Sequence, residues 1–229
     1  MLLAFVYDGI LTKNYKKQSK KLYVSNLLSR CMTTLEQASQ LINLAKQAVG
    51  SELSGKTLVI DKAIEKQFSN YLGVFITLKK HGELRGCIGF PLPHYRLYRA
   101  MIEAAKAAAF SDPRFSPVVE DELDQISFEI SILSVPKKID INEDNYDKLI
   151  KIGRDGLIIR YGYTSGLLLP QVFTEYNCTP LKALQMTCDK AGLPPHAWKD
   201  PDATIEIFSG EVFFEQGPGG KIVKEELEN

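Results

Sequence analysis

This chain has few of the residues that build metal centres, disulfide scaffolds or membrane spans. Its four cysteines (Cys31, Cys87, Cys178, Cys188) form no CxxC pair, and it has only three histidines, which argues against a structural zinc site. Cysteines scattered in this way fit a reducing cytoplasm better than a secreted disulfide framework. No segment approaches the roughly 18 apolar residues of a membrane-spanning helix. The apolar opening, Met1 to Val6, precedes the basic cluster instead of following it, the wrong order for a signal peptide. Net charge is also lacking: 28 basic and 28 acidic residues sum to zero, which speaks against nucleic acid as the main partner. Gly153-Arg154-Asp155-Gly156 is too short and misplaced for a phosphate loop and reads as a turn. No cofactor and no metal are expected, and neither is a membrane.

What is present is a globular composition, 45% apolar and 24% charged over 229 residues, long enough to bury a real core. Residues 1–31 hold Lys13, Lys16, Lys17, Lys20, Lys21 and Arg30 against Asp8 alone, so this stretch carries +5 and the remainder −5. We read it as an extension before a natural start at Met32, because Thr34-x-x-Gln37 then opens a helix as a capping box. That helix has Leu35, Ala38, Leu41, Ile42, Ala45, Ala48 and Val49 on one face, and Gly50 is expected to close it. A short helix is expected within 56–70. Tyr95 to Phe110 reads as an alanine-rich helix with Leu97, Met101, Ala105 and Ala108 buried. Ile126–Ile132 alternates as a half-buried strand. Gly156–Arg160 and Leu167–Pro170 form a second hairpin, and Thr179-Pro180 starts a helix that Gly192 ends. A final strand pair is expected over about 204–214, turning at Ser209-Gly210, with 216–229 as a mobile tail. Strands and helices mix without βαβα alternation. The expected class is α+β, a mixed or mostly antiparallel sheet with flanking helices and room for a smaller subdomain.

The chemistry-bearing stretch is Leu84-Arg85-Gly86-Cys87-Ile88-Gly89, in the second arm of a hairpin over 72–90. Side chains alternate along a strand, so Arg85 and Cys87 should share a face, where a guanidinium would favour the thiolate. The loop is expected to be Lys80-His81-Gly82, pairing Lys79 with Glu83 and Thr77 with Arg85, because a two-residue His81-Gly82 loop would mix the two faces. Val74, Ile76, Leu78, Leu84 and Ile88 then share the apolar face, and Thr77, Lys79, Glu83, Arg85 and Cys87 the polar one. Cys87 and Arg85 are the candidate catalytic residues. Candidate ligand contacts are Gly86, whose bare backbone admits close approach of a ligand or of another chain segment, Asp112, Arg114, Glu129, Gln171 and Glu175. Arg85 and Arg114 would suit a carboxylate or phosphate, although Arg114 could instead hold its loop by pairing with Asp112 or Glu129. Cys188 lies on an apolar helical stripe and reads as core, as does Trp198.

The hexapeptide LRGCIG at 84–89 resembles the hallmark of the AMMECR domain family. Further blocks match in order: Asp112-Pro113-Arg114-Phe115 after an alanine-rich helix, Phe128–Leu133, Gly153–Ile159, Leu168–Val172, Cys188–Pro194 and Trp198. The resemblance covers roughly residues 33–215, leaving 1–31 outside a domain taken as 32–215. Members often carry an aromatic near Cys178, which implies no role for this cysteine. The resemblance implies no established reaction; it does imply an association with Memo-type or radical-SAM proteins. Two readings follow. The first is a cytoplasmic small-molecule-binding protein or cysteine-dependent enzyme with a pocket around Arg85 and Cys87. The alternative is a non-enzymatic module that docks such a protein partner. Nucleic-acid binding, which residues 1–31 would have to support, ranks last.

Overall fold

A computed structural model of the chain describes residues 5–6 and 33–225. The expectation of a non-native extension falls almost wholly outside these residues. Thr34 caps helix α1 (Leu35–Leu53) through the expected capping box with Gln37. Gly50 does not end it: α1 runs three residues further, to Leu53, and the chain leaves the helix at Ser54 and Gly55, the latter with φ +62°. Glycine tolerates the helical conformation as well as the left-handed one, so its presence alone does not mark a terminus. A short helix α2 (Lys62–Gln67), capped by Asp61, follows.

The first hairpin consists of β2 (Gly73–Lys80) and β3 (Glu83–Phe90). Helix α3 (Leu97–Phe110) comes next, then a 3-10 turn (Glu120–Gln125) and strand β4 (Ile126–Leu133). The second half of the chain supplies β5 (Lys137–Ile139), α4 (Tyr146–Leu149), β6 (Asp155–Tyr161) and β7 (Thr164–Leu168). It continues with α5 (Pro170–Glu175), α6 (Pro180–Lys190), β8 (Thr204–Glu215) and β9 (Ile222–Lys224). The sheet runs β3-β2-β4-β8-β6-β7, with β5 and β9 also on β8, and all these pairs are antiparallel. Two residues, Phe5–Val6 (β1), pair in parallel with β3 at Ile88 and Gly89. The fold is α+β with a mostly antiparallel sheet.

Two expectations about the end of the chain are corrected. Residues 204–215 form one continuous strand with no hairpin at Ser209-Gly210. Its first half pairs with β6 and its second half with β4, so the Ser-Gly step is where β8 changes neighbours. A Cβ on Gly210 would come within 3.2 Å of Leu133, and this close crossing explains the glycine without a turn. The segment after 215 is likewise no free tail: it turns at Gly217–Gly220 and returns as β9 against β8. Residues 226–229 lie outside the described part.

The core has two centres joined by β8. Helices α1 and α3 lie on one face of β2-β3-β4, burying Leu41, Ile42, Met101 and Ala105 against Ile76, Leu78, Ile88 and Ile130. Helix α6 packs Leu184 and Cys188 against Leu157, Ile159 and Ile205. The opposite face of β2 and β4 is covered in part by the start of α5, where Leu169 and Val172 meet Phe75 and Leu133. No helix among the described residues is long and apolar enough to cross a membrane.

Candidate functional site

The hairpin turn is two residues, His81-Gly82, both with positive φ (+53° and +84°), the pattern that matches the strand twist. Lys80 therefore pairs with Glu83 and Lys79 with Leu84, not Lys79 with Glu83. The register then slips: Leu78 pairs with Gly86 and Thr77 with Cys87, leaving Arg85 as the extra residue of a β-bulge. Beyond the bulge the pairing lies two residues from the expected one. An even offset preserves faces, so Cys87 still stands beside Thr77 on the side away from α1 and α3.

The bulge has the opposite consequence for Arg85. Its Nε and Nη2 donate to Glu122 at 3.2 and 2.9 Å, and the same carboxylate takes Lys80 Nζ at 2.9 Å. Lys80 is in phase with Leu78, on the helix-covered face. Arg85 and Cys87 thus diverge, contrary to the alternation argument. The charge-assisted bonds from Arg85, then Lys80, hold Glu122 down to about 2.

Gly86 is equally committed. A Cβ there would lie 2.2 Å from the carbonyl oxygen of Ala108. The bare backbone admits helix α3, not a ligand. Across the hairpin, Gly89 leaves room for the Phe75 ring in the same way.

Cys87, Asp112 and Arg114 do come together. Cys87 is 1% exposed. Its N–H donates to Asp112 Oδ2 at 2.8 Å, and its carbonyl accepts from Arg114 Nη2 at 3.3 Å. Asp112 also takes the Arg114 backbone N–H (3.1 Å), Nε (2.9 Å) and Nη2 (2.7 Å). The Asp-Pro-Arg loop thereby supplies a carboxylate and a guanidinium in place of the backbone acceptor and donor of a neighbouring strand at the edge of β3. Burial alone would raise the Asp112 pKa. The side-chain bonds from Arg114, with the N–H groups of Cys87 and Arg114, outweigh it and hold the carboxyl below the ordinary range.

The Cys87 thiol lies 3.4 Å from Thr77 Oγ1, the closeness expected across a non-hydrogen-bonded antiparallel pair. Burial pushes its pKa up; the Thr77 hydroxyl and Arg114 pull it down, and Glu129 and Asp112 push it up again. The net effect is upward, so the resting thiol is neutral, not the thiolate expected beside Arg85. Iodoacetamide at neutral pH should therefore alkylate Cys87 at least about tenfold more slowly than a free thiol. The rate should climb only above the pH where an ordinary thiol ionises. Peptide mass spectrometry would reveal the opposite as fast labelling below pH 7.

Glu129 is next to Thr77 in β4 and binds Lys79 Nζ at 2.7 Å. Cys87, Thr77, Glu129 and Phe214 thus form a row across four strands. One step toward the hairpin turn, Lys79 and Ser127 continue this face. There a cleft of about 560 Å³ opens between the turn at His81-Gly82 and the loop at Gly217-Pro218. Gln171 sits in the first turn of α5, whose Val172 packs near Phe75 on the same face, and Glu175 is exposed at its far end. Among the described residues no hydrogen bond or ion pair joins either to the Cys87 group. No group of three metal-ligating side chains occurs among them.

Sequence reasoning passed over Thr77, Glu122 and the cleft. Thr77 was legible, since it was placed on the Cys87 face. Glu122 was not: it lies 37 residues from Arg85, and the bulge alone aims the arginine at it.

A sequence model of the AMMECR1 family matches residues 42–213, spanning the hairpin, the Asp112–Arg114 loop and nearly all of β8. The chain belongs to the AMMECR1 family. Relatives include an Aquifex aeolicus protein, 42% identical over 190 residues (82% of this chain, 97% of that one). A Thermococcus onnurineus protein is 44% identical over 193 residues (82% and 94%). The crystal structure of an uncharacterized protein from Pyrococcus horikoshii superposes with a TM-score of 0.73 at 41% identity, covering 82% of this chain and 95% of that one. The AMMECR1 fold is therefore shared with an archaeal protein over nearly its whole length.

Proposed function

We propose that this AMMECR1-family protein binds a small molecule on the β2-β3-β4 face that carries Thr77, Cys87 and Glu129. One observation carries the reading: a cleft of about 560 Å³ opens at the end of this polar row, at Lys79, Ser127 and Phe214. That volume is in the range of ligand sites, which combine an apolar wall with a few placed polar groups. Lys79, Ser127 and Phe214 line the cleft; Thr77 and Cys87 lie buried further along the same face, and the Lys79–Glu129 pair, with side chains 37% and 14% exposed, stands between them. Cys87, a neutral thiol buried to 1% exposure, supports this face from beneath and does not itself line the cleft. A nucleophilic role would need a base or a further cation brought by ligand binding, since burial keeps the thiol neutral and the nearby guanidiniums are engaged, Arg85 by Glu122 and Arg114 by Asp112. Arg85, Gly86, Asp112 and Arg114 are positioning residues in this reading. The protein acts in the cytoplasm, where thiols such as Cys87, Cys178 and Cys188 stay unpaired.

The test is a thermal-shift screen of small polar metabolites, with hits titrated calorimetrically against wild type, Lys79→Met and Ser127→Ala, both in the cleft lining. Losing one hydrogen bond should weaken a genuine ligand by about threefold to tenfold in each variant. Hits that bind all three proteins equally would place the site elsewhere.

A further inference from the structure

We infer that the cleft beside the hairpin turn takes a small anion carried on an apolar body, such as an aryl or alkyl carboxylate or phosphate; this rests on the reading of the β2-β3-β4 face as a binding face. Three features of the lining point to that class. First, the turn places a histidine where it is conformationally disfavoured. His81 has φ +53°, at a position of a two-residue turn that asparagine or glycine occupies at less cost. The turn therefore holds an imidazole, able to donate an N–H, at the rim of the cleft.

Second, spare donors face the cleft while the carboxylate in its lining, Glu215, is paired elsewhere. Lys79 lines the cleft and uses one of its three N–H donors on Glu129. Glu129 lies one step along the sheet from Lys79, and Glu225, which donates its N–H to Val212, lies one step further. Both are on the side of Lys79 away from the turn. Glu215 borders the cleft, but its carboxylate accepts from Lys46 Nζ at 2.5 Å and from the Phe128 N–H at 3.0 Å, on the helix-covered face.

Third, Phe214 and Pro218 offer an apolar wall opposite these donors. An anionic head would meet Lys79 and His81, and the body would lie against Phe214.

The experiment uses the ¹⁵N-labelled full chain, titrated with phenyl phosphate, benzoate, inorganic phosphate and benzyl alcohol. Phenyl phosphate and benzoate should shift the amides of His81, Gly82, Ser127 and Gly217 saturably in the millimolar range. Inorganic phosphate and benzyl alcohol, each lacking half of the pharmacophore, should bind at least about threefold more weakly. His81→Asn suits the turn and should fold; it should weaken phenyl phosphate by about threefold. Equal binding of benzyl alcohol, or undiminished binding to His81→Asn, would overturn the anion assignment and leave the binding face standing. Shifts centred on Thr77 and Ser131 instead would overturn the cleft as the seat of the anion, again leaving the face. Silence throughout β2, β3 and β4 would overturn this inference, while failure of the metabolite screen would remove the face itself.

Discussion

Gly86→Ala should lose about 3 kcal/mol or more of folding stability. The added methyl would stand 2.2 Å from the Ala108 carbonyl oxygen and 3.1 Å from its carbon. That obstacle is helix backbone, so no rotamer change relieves it, and α3 must lift from β3. Lifting α3 opens the contact of Met101 and Ala105 with Ile88 and Leu78, which forfeits packing as well as creating strain. For a domain of this size the melting temperature should fall by about 6–12 °C. Gly50→Ala provides the contrast. Gly50 lies inside α1, where a methyl would make only an ordinary 3.6 Å contact with Leu123, and alanine should add about 0.5–1 kcal/mol through helix propensity. Urea denaturation of both variants tests the pair. A Gly86→Ala protein as stable as wild type would mean that α3 does not seat on β3 as described.

That glycine shows where sequence patterning stops. The bare backbone at Gly86 was legible; what fills it was not, because α3 reaches β3 only through the tertiary fold. Local signals carried far: the Thr34–Gln37 cap, the alanine-rich helix, the alternation of Ile126–Ile132 and Pro180 at a helix start all reappear as elements. Errors arose where one local signal had two physical causes. Ser209-Gly210 looks like a turn, yet the glycine serves a close approach to Leu133 while β8 passes from β6 to β4. Gly50 looked like a helix end and is interior.

The site followed the same logic. Alternation put Cys87 on the same face as Thr77, and this held because the loop error and the bulge together shift the pairing by an even number. It misplaced Arg85, because a bulge is the one place where alternation fails. Asp112 and Arg114 were legible as a pair within one short loop. Their grip on the Cys87 backbone spans 25 and 27 residues and no spacing rule reports it.

Asp112→Asn should cost about 3 kcal/mol, and most of that difference should vanish in acid. The carboxylate is buried, and it accepts four bonds from Cys87 and Arg114. The amide keeps one acceptor and turns a donor toward an N–H or the guanidinium, leaving the cation short of its counter-charge. The direction with pH follows from the lowered pKa of Asp112 in the folded state. A depressed carboxylate contributes its stability fully above the unfolded value, near pH 4. That contribution is lost as pH falls through the lower folded value. Stability measured by urea unfolding from pH 7 downward should therefore separate wild type from Asp112→Asn by a constant gap above about pH 5 and a closing gap below about pH 4. The variant should keep a shallower acid limb of its own, because Glu122, held at about 2 by Arg85 and Lys80, still has to be protonated. A gap that stays constant into acid would show that Asp112 is not the ionised clasp on the β3 edge. Because the clasp fixes the backbone at Cys87, the variant should also alkylate that thiol faster than wild type at every pH, as the edge of β3 opens more often.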